Sequence, residues 1–348
     1  MSATDLPVQR WTTRSAAFMA ALGVLLLVLA AGPALFPPGV TDRLSALFVY
    51  VILGAMWNAL AGYGGLVSVG QQAFFGLGAY VAIRLSHADL PVYAAIVLAG
   101  LLAGIASLGV GEVMLRLRGG EFAVGMWVVA ELVHLLVNLD PLVQGETGTS
   151  LIALNAVAAE ARRAYTYWLS LAAMVALLGV LFALLRGRLG TAIQAIRDDE
   201  QAAGSLGVDV LATKRIVFAL AATGCAMAGA LWLASAITFQ PKAYFSVQWT
   251  AYMIFMTLVG GIGTFEGPVI GAVLFFAVET WFGASGVWYL IGLGAAALGF
   301  ALFAPRGLFG AIERRFGLRL LPLGYRVLLP GGLREHRRPA SHRPTAGA

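Results

Sequence analysis

Residues 91–115 read PVYAAIVLAGLLAGIASLGVGEVML and carry a single charge, Glu112. A helix crossing a bilayer needs about 20 predominantly apolar residues, so this stretch predicts a membrane-spanning helix. Comparable runs lie on both sides, at 16–31, 44–61, 62–83, 122–139, 166–185, 216–238, 249–263, 268–283 and 286–303. Together they predict an all-α, polytopic integral membrane protein of about eight to ten transmembrane helices. Composition agrees: of 348 residues, 60% are hydrophobic and 11% charged, whereas soluble domains carry about 25% charged residues. A soluble enzyme and a disordered chain are both excluded. A membrane β-barrel would alternate apolar and polar residues, and these runs are continuous.

The run at 16–31 follows Arg10 and Arg14, as the core of a cleaved signal peptide would. With so many spans downstream, a retained first helix is the expectation. Lys and Arg concentrate on the cytoplasmic side of membrane proteins. With the N-terminus inside and ten alternating spans, 18 of the 23 Lys+Arg fall inside and 5 outside. The outside five are Arg43, Arg84, Arg162, Arg163 and Lys242. The expected organisation is a cytoplasmic N-terminus (1–15), a transmembrane domain (16–305) and a basic cytoplasmic tail (306–348), partly disordered. Within the domain, 140–165 forms an external loop and 186–215 a cytoplasmic one. The net charge of +6 reflects that tail, which holds nine of the cations, so a membrane surface is expected as partner and nucleic acid is not. The single Cys225 forms no internal disulfide. No GxxxxGK[ST] phosphate loop occurs, so ATP is not expected to bind this chain in the usual way.

Two segments depart from ordinary spans. Residues 62–83, GYGGLVSVGQQAFFGLGAYVAI, contain six glycines, and 260–271 is also glycine-rich. Pairs such as Gly100/Gly104 and Gly267/Gly271 suit close helix packing. The two clusters exceed that need and predict breaks within the membrane, which only protein or a cavity can surround. Such breaks often line substrate paths. The cytoplasmic loop RGRLGTAIQAIRDDEQAAGSLGVDVLATKR (186–215) places Ala192, Ala195, Ile196, Ala203 and Leu206 at roughly helical spacing. It predicts a short amphipathic helix beneath the membrane. Such a helix is marginal in isolation and needs a partner surface, although a solvated loop fits the pattern as well.

The wording of several segments resembles a known family. GRLGTAIQAIRDDEQAAGSLGVDVLATKRIVFALAATGCAMAGAL (187–231) is similar to the cytoplasmic coupling segment of branched-chain amino acid ABC-importer permeases. NALAGYGGLVSVGQQAFFGLGAY (58–80), GEFAVGMWVVAELVHLLVN (120–138), VGGIGTFEGPVIGAVLF (259–275) and APRGLFG (304–310) resemble the same family, LivM type, in the same order. The resemblance implies a non-catalytic permease subunit in the bacterial inner membrane, paired with a second permease and two ATP-binding subunits and fed by a periplasmic substrate-binding protein. No cofactor is implied on this chain; ATP and magnesium would sit on the ATP-binding subunits. Hydrolysis there would push on a coupling segment and switch the cavity between outward and inward access. The residues carried over to that segment are Gly190, Ala195, Ile196, Arg197, Asp198, Ala202, Ala203, Gly207 and Lys214. The external loop reads QGETGTS where relatives more often show a Thr-Gly-Gly-like run, which leaves the substrate open among amino acids, amides and urea.

Four ionisable residues fall within apolar runs, where they are functional candidates by default. Glu112 lies four residues before Arg116 and is expected to pair with it. Glu279 is expected near the outer end of its span, in reach of the interface. Glu131 and His134 share a helix face, like half of a di-iron site. With four histidines and no second such pair, no metal is expected. Interhelical hydrogen bonding remains open for this pair, as does lining of the path or contact with the external loop. Ser68, Gln71, Gln72 and Tyr80 are expected to contribute to a substrate path around the first break, and Thr257 and Thr264 at the second. Two competing functions are a stand-alone channel or secondary transporter for a small polar solute, against which the coupling-like loop argues, and a membrane enzyme using Glu131 and His134, which lacks a nucleophile or metal motif.

Overall fold

A computed structural model describes residues 8–9, 13–304, 306–316 and 326–327. Each predicted run contains a helix, although 62–83 and 249–263 are only partly helical. In chain order they give α1 (Thr13–Ala30), α2 (Pro38–Asn58), α3 (Gln72–His87), α4 (Val92–Met114), α5 (Gly119–Asn138) and α6 (Ala159–Arg186). Two short helices follow, α7 (Arg188–Asp198) and α8 (Glu200–Ser205). The rest are α9 (Val210–Ala236), α10 (Val247–Gly260), α11 (Gly267–Phe282), α12 (Val287–Phe303) and α13 (Gly307–Phe316).

The number of full-length spans is lower than the sequence predicts. Among the described residues, six stretches are long and apolar enough to cross a membrane by length and composition: Pro38–Tyr63, α4, α5, α6, α9 and Val287–Arg315, which includes α12 and most of α13. Of the remaining apolar helices, α3 and α11 have 16 residues and α10 has 14. At about 1.5 Å per residue these reach about 21–24 Å, short of a hydrocarbon core of about 30 Å. The glycine clusters are the reason. The first leaves non-helical backbone ahead of α3, and the second forms the turn that separates α10 from α11.

The core lies around α2 and α9. Of their apolar windows, 83% and 72% are buried, against 22% for α5 and 11% for the window in α12–α13. Missing side chains let these central helices touch. A Cβ on Gly229 of α9 would overlap the Phe75 carbonyl of α3, and one on Gly78 of α3 would overlap that of Ala226. Both predicted small-residue pairs pack this way: Gly100 and Gly104 of α4 face Met227 and Thr223 of α9, and Gly271 of α11 meets the Met256 backbone of α10. Backbone contact of this kind is what drives helix association where lipid removes the hydrophobic incentive. Gly229→Ala will therefore destabilise the bundle by about 1–3 kcal/mol, the usual cost of overpacking. The check is the thermal unfolding midpoint in detergent. An unchanged midpoint would mean that α9 has room to slide.

α1 is docked on α6 through Tyr167 Oη donating to Leu29 O (2.7 Å) and Trp168 Nε1 donating to Ala30 O (2.9 Å). Outside the helices, Thr149–Ser150 pairs antiparallel with Thr238–Phe239, tying the 140–165 loop to the end of α9. Val8–Gln9 pairs antiparallel with Arg326–Val327. The tail begins as the helix α13; its expected disorder, like most of the polar N-terminus, lies outside the described residues.

Candidate functional site

The first glycine cluster breaks the second span. α2 continues through one wide π turn, Ala59–Tyr63, of the kind frequent at functional sites. The chain then runs extended to α3. Gly65 adopts a left-handed φ of +67° and packs on Arg197, while a Cβ on Gly70 would overlap the Met126 backbone of α5. Eight residues, 64–71, thus climb from the cytoplasmic loop to the interior of the bundle. Their polar groups are met by protein, as non-helical backbone in a membrane requires. Leu66 N donates to Leu60 O (3.0 Å) and Trp57 Nε1 to Ser68 O (2.9 Å). Ser68 Oγ accepts from Gly70 N (3.2 Å) and Gln71 Nε2 (3.3 Å). Gln72 Oε1 accepts from Thr250 Oγ1 of α10. Ser68, Gln71, Gln72 and Thr250 are all buried, and Gln71 Oε1 has no partner. An orphaned buried acceptor costs about 1–3 kcal/mol.

The second cluster forms the turn between α10 and α11. Asn58 of α2 clamps it: its Nδ2 donates to Thr264 O (2.8 Å), and its Oδ1 accepts from Gly263 N (2.8 Å). Thr264 Oγ1 accepts from Gly267 N (3.1 Å) and caps α11, while Thr257 Oγ1 donates to Gly54 O across to α2 (3.2 Å). The two breaks therefore share α2.

The 186–215 loop is largely helical, but its apolar side faces the bundle. Ile193 and Ile196 of α7 and Ala203 of α8 are buried against the bundle, and Gly190 lets α7 turn tightly onto the Leu185 backbone. Ala195, Asp198, Ala202 and Gly207 are exposed, and Leu206 is 84% exposed. The helically spaced residues Ala192, Ala195, Ile196, Ala203 and Leu206 thus do not share one face: Ile196 and Ala203 are buried, Ala192 is half-buried, and Ala195 and Leu206 are exposed. Asp199 is extended between the helices, and its Oδ1 accepts from Gln201 N and Ala202 N at 2.9 Å each, capping α8. Lys214, with 4% of its side chain exposed, pairs with Glu200 at 2.8 Å and straps α8 to α9. Arg118 adds a longer contact to Glu200, 3.6 Å. Arg197 is the link inward: its Nη1 donates to Gly62 O (2.9 Å), and its Nε and Nη2 donate to Asp198 Oδ1 (3.0 and 2.9 Å). The loop thus reaches the π turn directly.

Three predicted path residues sit elsewhere. Tyr80 lies two turns beyond Gln72, at the outer end of α3, where it donates to Asp140 Oδ2 (2.6 Å) beside the Arg84–Asp140 pair (2.6 Å). His134 stands between Glu131 (3.3 Å) and Glu146 of the external loop (2.9 Å) and stacks on Phe245. Glu146 also accepts from Asn138 Nδ2 (2.6 Å) and Lys242 N (2.9 Å), so it ties α5, the external loop and the segment before α10 together. An outer cavity of about 270 Å³, lined by Asp42, Ser45, Arg162, Arg163 and Thr166, opens between α2, α6 and α9. Glu112 bonds Arg116 as expected (2.9 Å) and Arg215 of α9 in addition.

Partial burial would raise the carboxyls of Asp140 and Glu146, but their partners outweigh it. Tyr80, the Leu142 N–H and Arg84 hold Asp140 below the usual carboxylate range. Asn138, the Lys242 N–H and His134 do the same for Glu146. A depressed carboxylate stabilises the fold above its unfolded value of about 4 and ceases to as pH falls through its folded value. Thermal stability should be insensitive to these two groups from pH 7 to 5 and decline below about pH 4. Asp140→Asn will flatten that acid limb, measured by unfolding midpoint against pH.

Residues 40–304 match the family model described as branched-chain amino acid transport system / permease component. The chain is 28% identical over 313 residues to the high-affinity branched-chain amino acid transport system permease protein LivM of Escherichia coli K12, covering 82% of this chain and 73% of that one. It is 26% identical over 247 residues to a LivM permease protein of Methanocaldococcus jannaschii, covering 65% and 70%. Among solved structures, PsaBC of Streptococcus pneumoniae in complex with Fab aligns at a TM-score of 0.47 and 12% identity, over 86% of this chain and 99% of that one. The multi-pass helical bundle and the match over most of its length lead to one conclusion: the chain belongs to the permease components of branched-chain amino acid transport systems.

Proposed function

We propose that this chain is one of two permease subunits of an ABC importer that moves branched-chain or related amino acids inward across a bacterial inner membrane. A periplasmic binding protein delivers the substrate to the external face. Two partner subunits bind and hydrolyse ATP with magnesium; this chain binds neither. Both termini are cytoplasmic, in keeping with the cation asymmetry and the pairing of 8–9 with 326–327.

The observation that carries the mechanism is the hydrogen bond from Arg197 to Gly62 O. The exposed face of α7–α8, with Ala195, Asp198, Ala202 and Leu206, seats on an ATP-binding subunit. When those subunits close, the lever moves. Arg197 passes the displacement to the π turn, where α2 leaves its regular helical register. The extended segment 64–71 follows, and Ser68, Gln71 and Gln72 change their access from one side of the membrane to the other. Asn58 carries the same motion to 263–264, so both breaks act together. Alternating access of this kind needs discrete packed arrangements instead of continuous deformation, and the glycine contacts of α3 with α9 supply one such arrangement.

Co-purification tests the assembly. A gently solubilised, C-terminally tagged chain should bring down a second permease and two ATP-binding subunits, identified by mass spectrometry. A chain that comes down alone in several detergents with its transport activity intact would favour a stand-alone carrier.

A further inference from the structure

Glu279 is the one acidic residue of the apolar helix α11. Its Oε1 accepts from Tyr50 Oη at 2.8 Å. Tyr50 is the thirteenth residue of the 26-residue span Pro38–Tyr63. Glu279 thus lies level with the middle of that span. Among the described residues no cation pairs with it. Tyr252 of α10 and Tyr289 of α12 lie within electrostatic reach. Tyr289 is 8% exposed, and its hydroxyl is buried without a partner. Rings cluster beside its partner Tyr50: Phe275 packs against Tyr50 (centroids 4.9 Å) and Tyr252 (4.6 Å).

An uncompensated carboxyl within a membrane is costly, and such residues mark ion or substrate routes. Two features here fit a cation of modest size. A carboxylate supplies the counter-charge, and the faces of tyrosine and phenylalanine attract cations by their quadrupoles. The orphaned Tyr289 hydroxyl offers a further acceptor, and the apolar rings suit an aliphatic side chain beside the charge.

We propose that Glu279, Tyr50 and Tyr289 form a binding site for the ammonium group of the translocated amino acid. The site rests on the import function proposed above and deepens it. It places the ammonium at α11 and α2, separate from the Gln71 acceptor in the first break.

The test uses the complete importer, with its partner subunits and binding protein, in proteoliposomes, and radiolabelled leucine, isoleucine and valine as probes. Glu279→Gln keeps size and hydrogen bonding but loses the charge. It should lower amino acid imported per ATP at least tenfold, with complex yield and basal ATPase unchanged. Glu279→Asp should retain import within about threefold. Tyr289→Phe, which removes an unpaired hydroxyl, should lower import about threefold at undiminished yield. Wild-type import by Glu279→Gln would overturn the site. If Glu279→Gln instead releases the second permease, a cation of that partner meets Glu279, and the ammonium assignment fails. The same holds if Glu279→Gln does not assemble while Tyr289→Phe imports normally. Failure of the wild-type importer to move any of the three probes would overturn the import function itself, and this site with it.

Discussion

Arg197→Ala is expected to cut ATP-driven amino acid import roughly thirtyfold while basal ATP hydrolysis stays within about twofold. The reasoning runs from geometry. Arg197 makes one inward hydrogen bond, to Gly62 O at 2.9 Å, and lies beside Gly65 and Gly263. A hydrogen bond from a charged donor contributes about 1.5–3 kcal/mol; a loss of about 2 kcal/mol corresponds to roughly thirtyfold. The buried face of α7 does not depend on Arg197, since Ile193 and Ile196 provide it, so the lever stays folded while its transmission is lost. Replacing Asp198 as well removes the carboxylate that orients the guanidinium and should deepen the defect only slightly. Import and ATPase measured on the same proteoliposomes decide the matter. A parallel loss of both activities would make Arg197 a structural residue instead of a transmitting one.

Lys214→Met should destabilise the cytoplasmic side by about 3 kcal/mol. Lys214 is nearly fully buried and pairs with Glu200 at 2.8 Å. Removing one member of a buried pair typically costs about 3–5 kcal/mol, because the other charge is left unmet. The low end applies here, since Glu200 keeps 30% of its side chain in solvent and a contact with Arg118. Adding Glu200→Gln to Lys214→Met should recover part of the loss, the mark of a coupled pair. Faster proteolysis within 199–209 would report the release of α8. Unchanged protease resistance in Lys214→Met would show that α8 is held by Ala203 alone.

Much of this was legible in the sequence. Continuous apolar runs located the helices because lipid demands them, and glycine clusters located the breaks because few other residues let backbone meet backbone. The direction of a packed face was not legible. Ile196 and Ala203 have the same helical spacing whether they seat against the chain's own bundle or against a partner, and only the structure turns them inward. The partner of Glu279 was not legible either: it stands near the end of its own helix, as its position in the run suggests, but bonds Tyr50 halfway along the span Pro38–Tyr63. Asn58 and Trp57 escaped notice because an isolated amide or indole in an apolar run carries no pattern. Tyr80 was assigned to the break by proximity in sequence, and its helix carries it to Asp140 instead.

The central claim is that the π turn and extended segment of the second span are moved by ATP through α7–α8. It is tested most directly by amino acid import into proteoliposomes holding the full complex, with and without ATP inside the reach of the partner subunits. The account predicts import that requires ATP and the binding protein together and collapses in Arg197→Ala. Import at the same rate without ATP, by this chain alone, would contradict it.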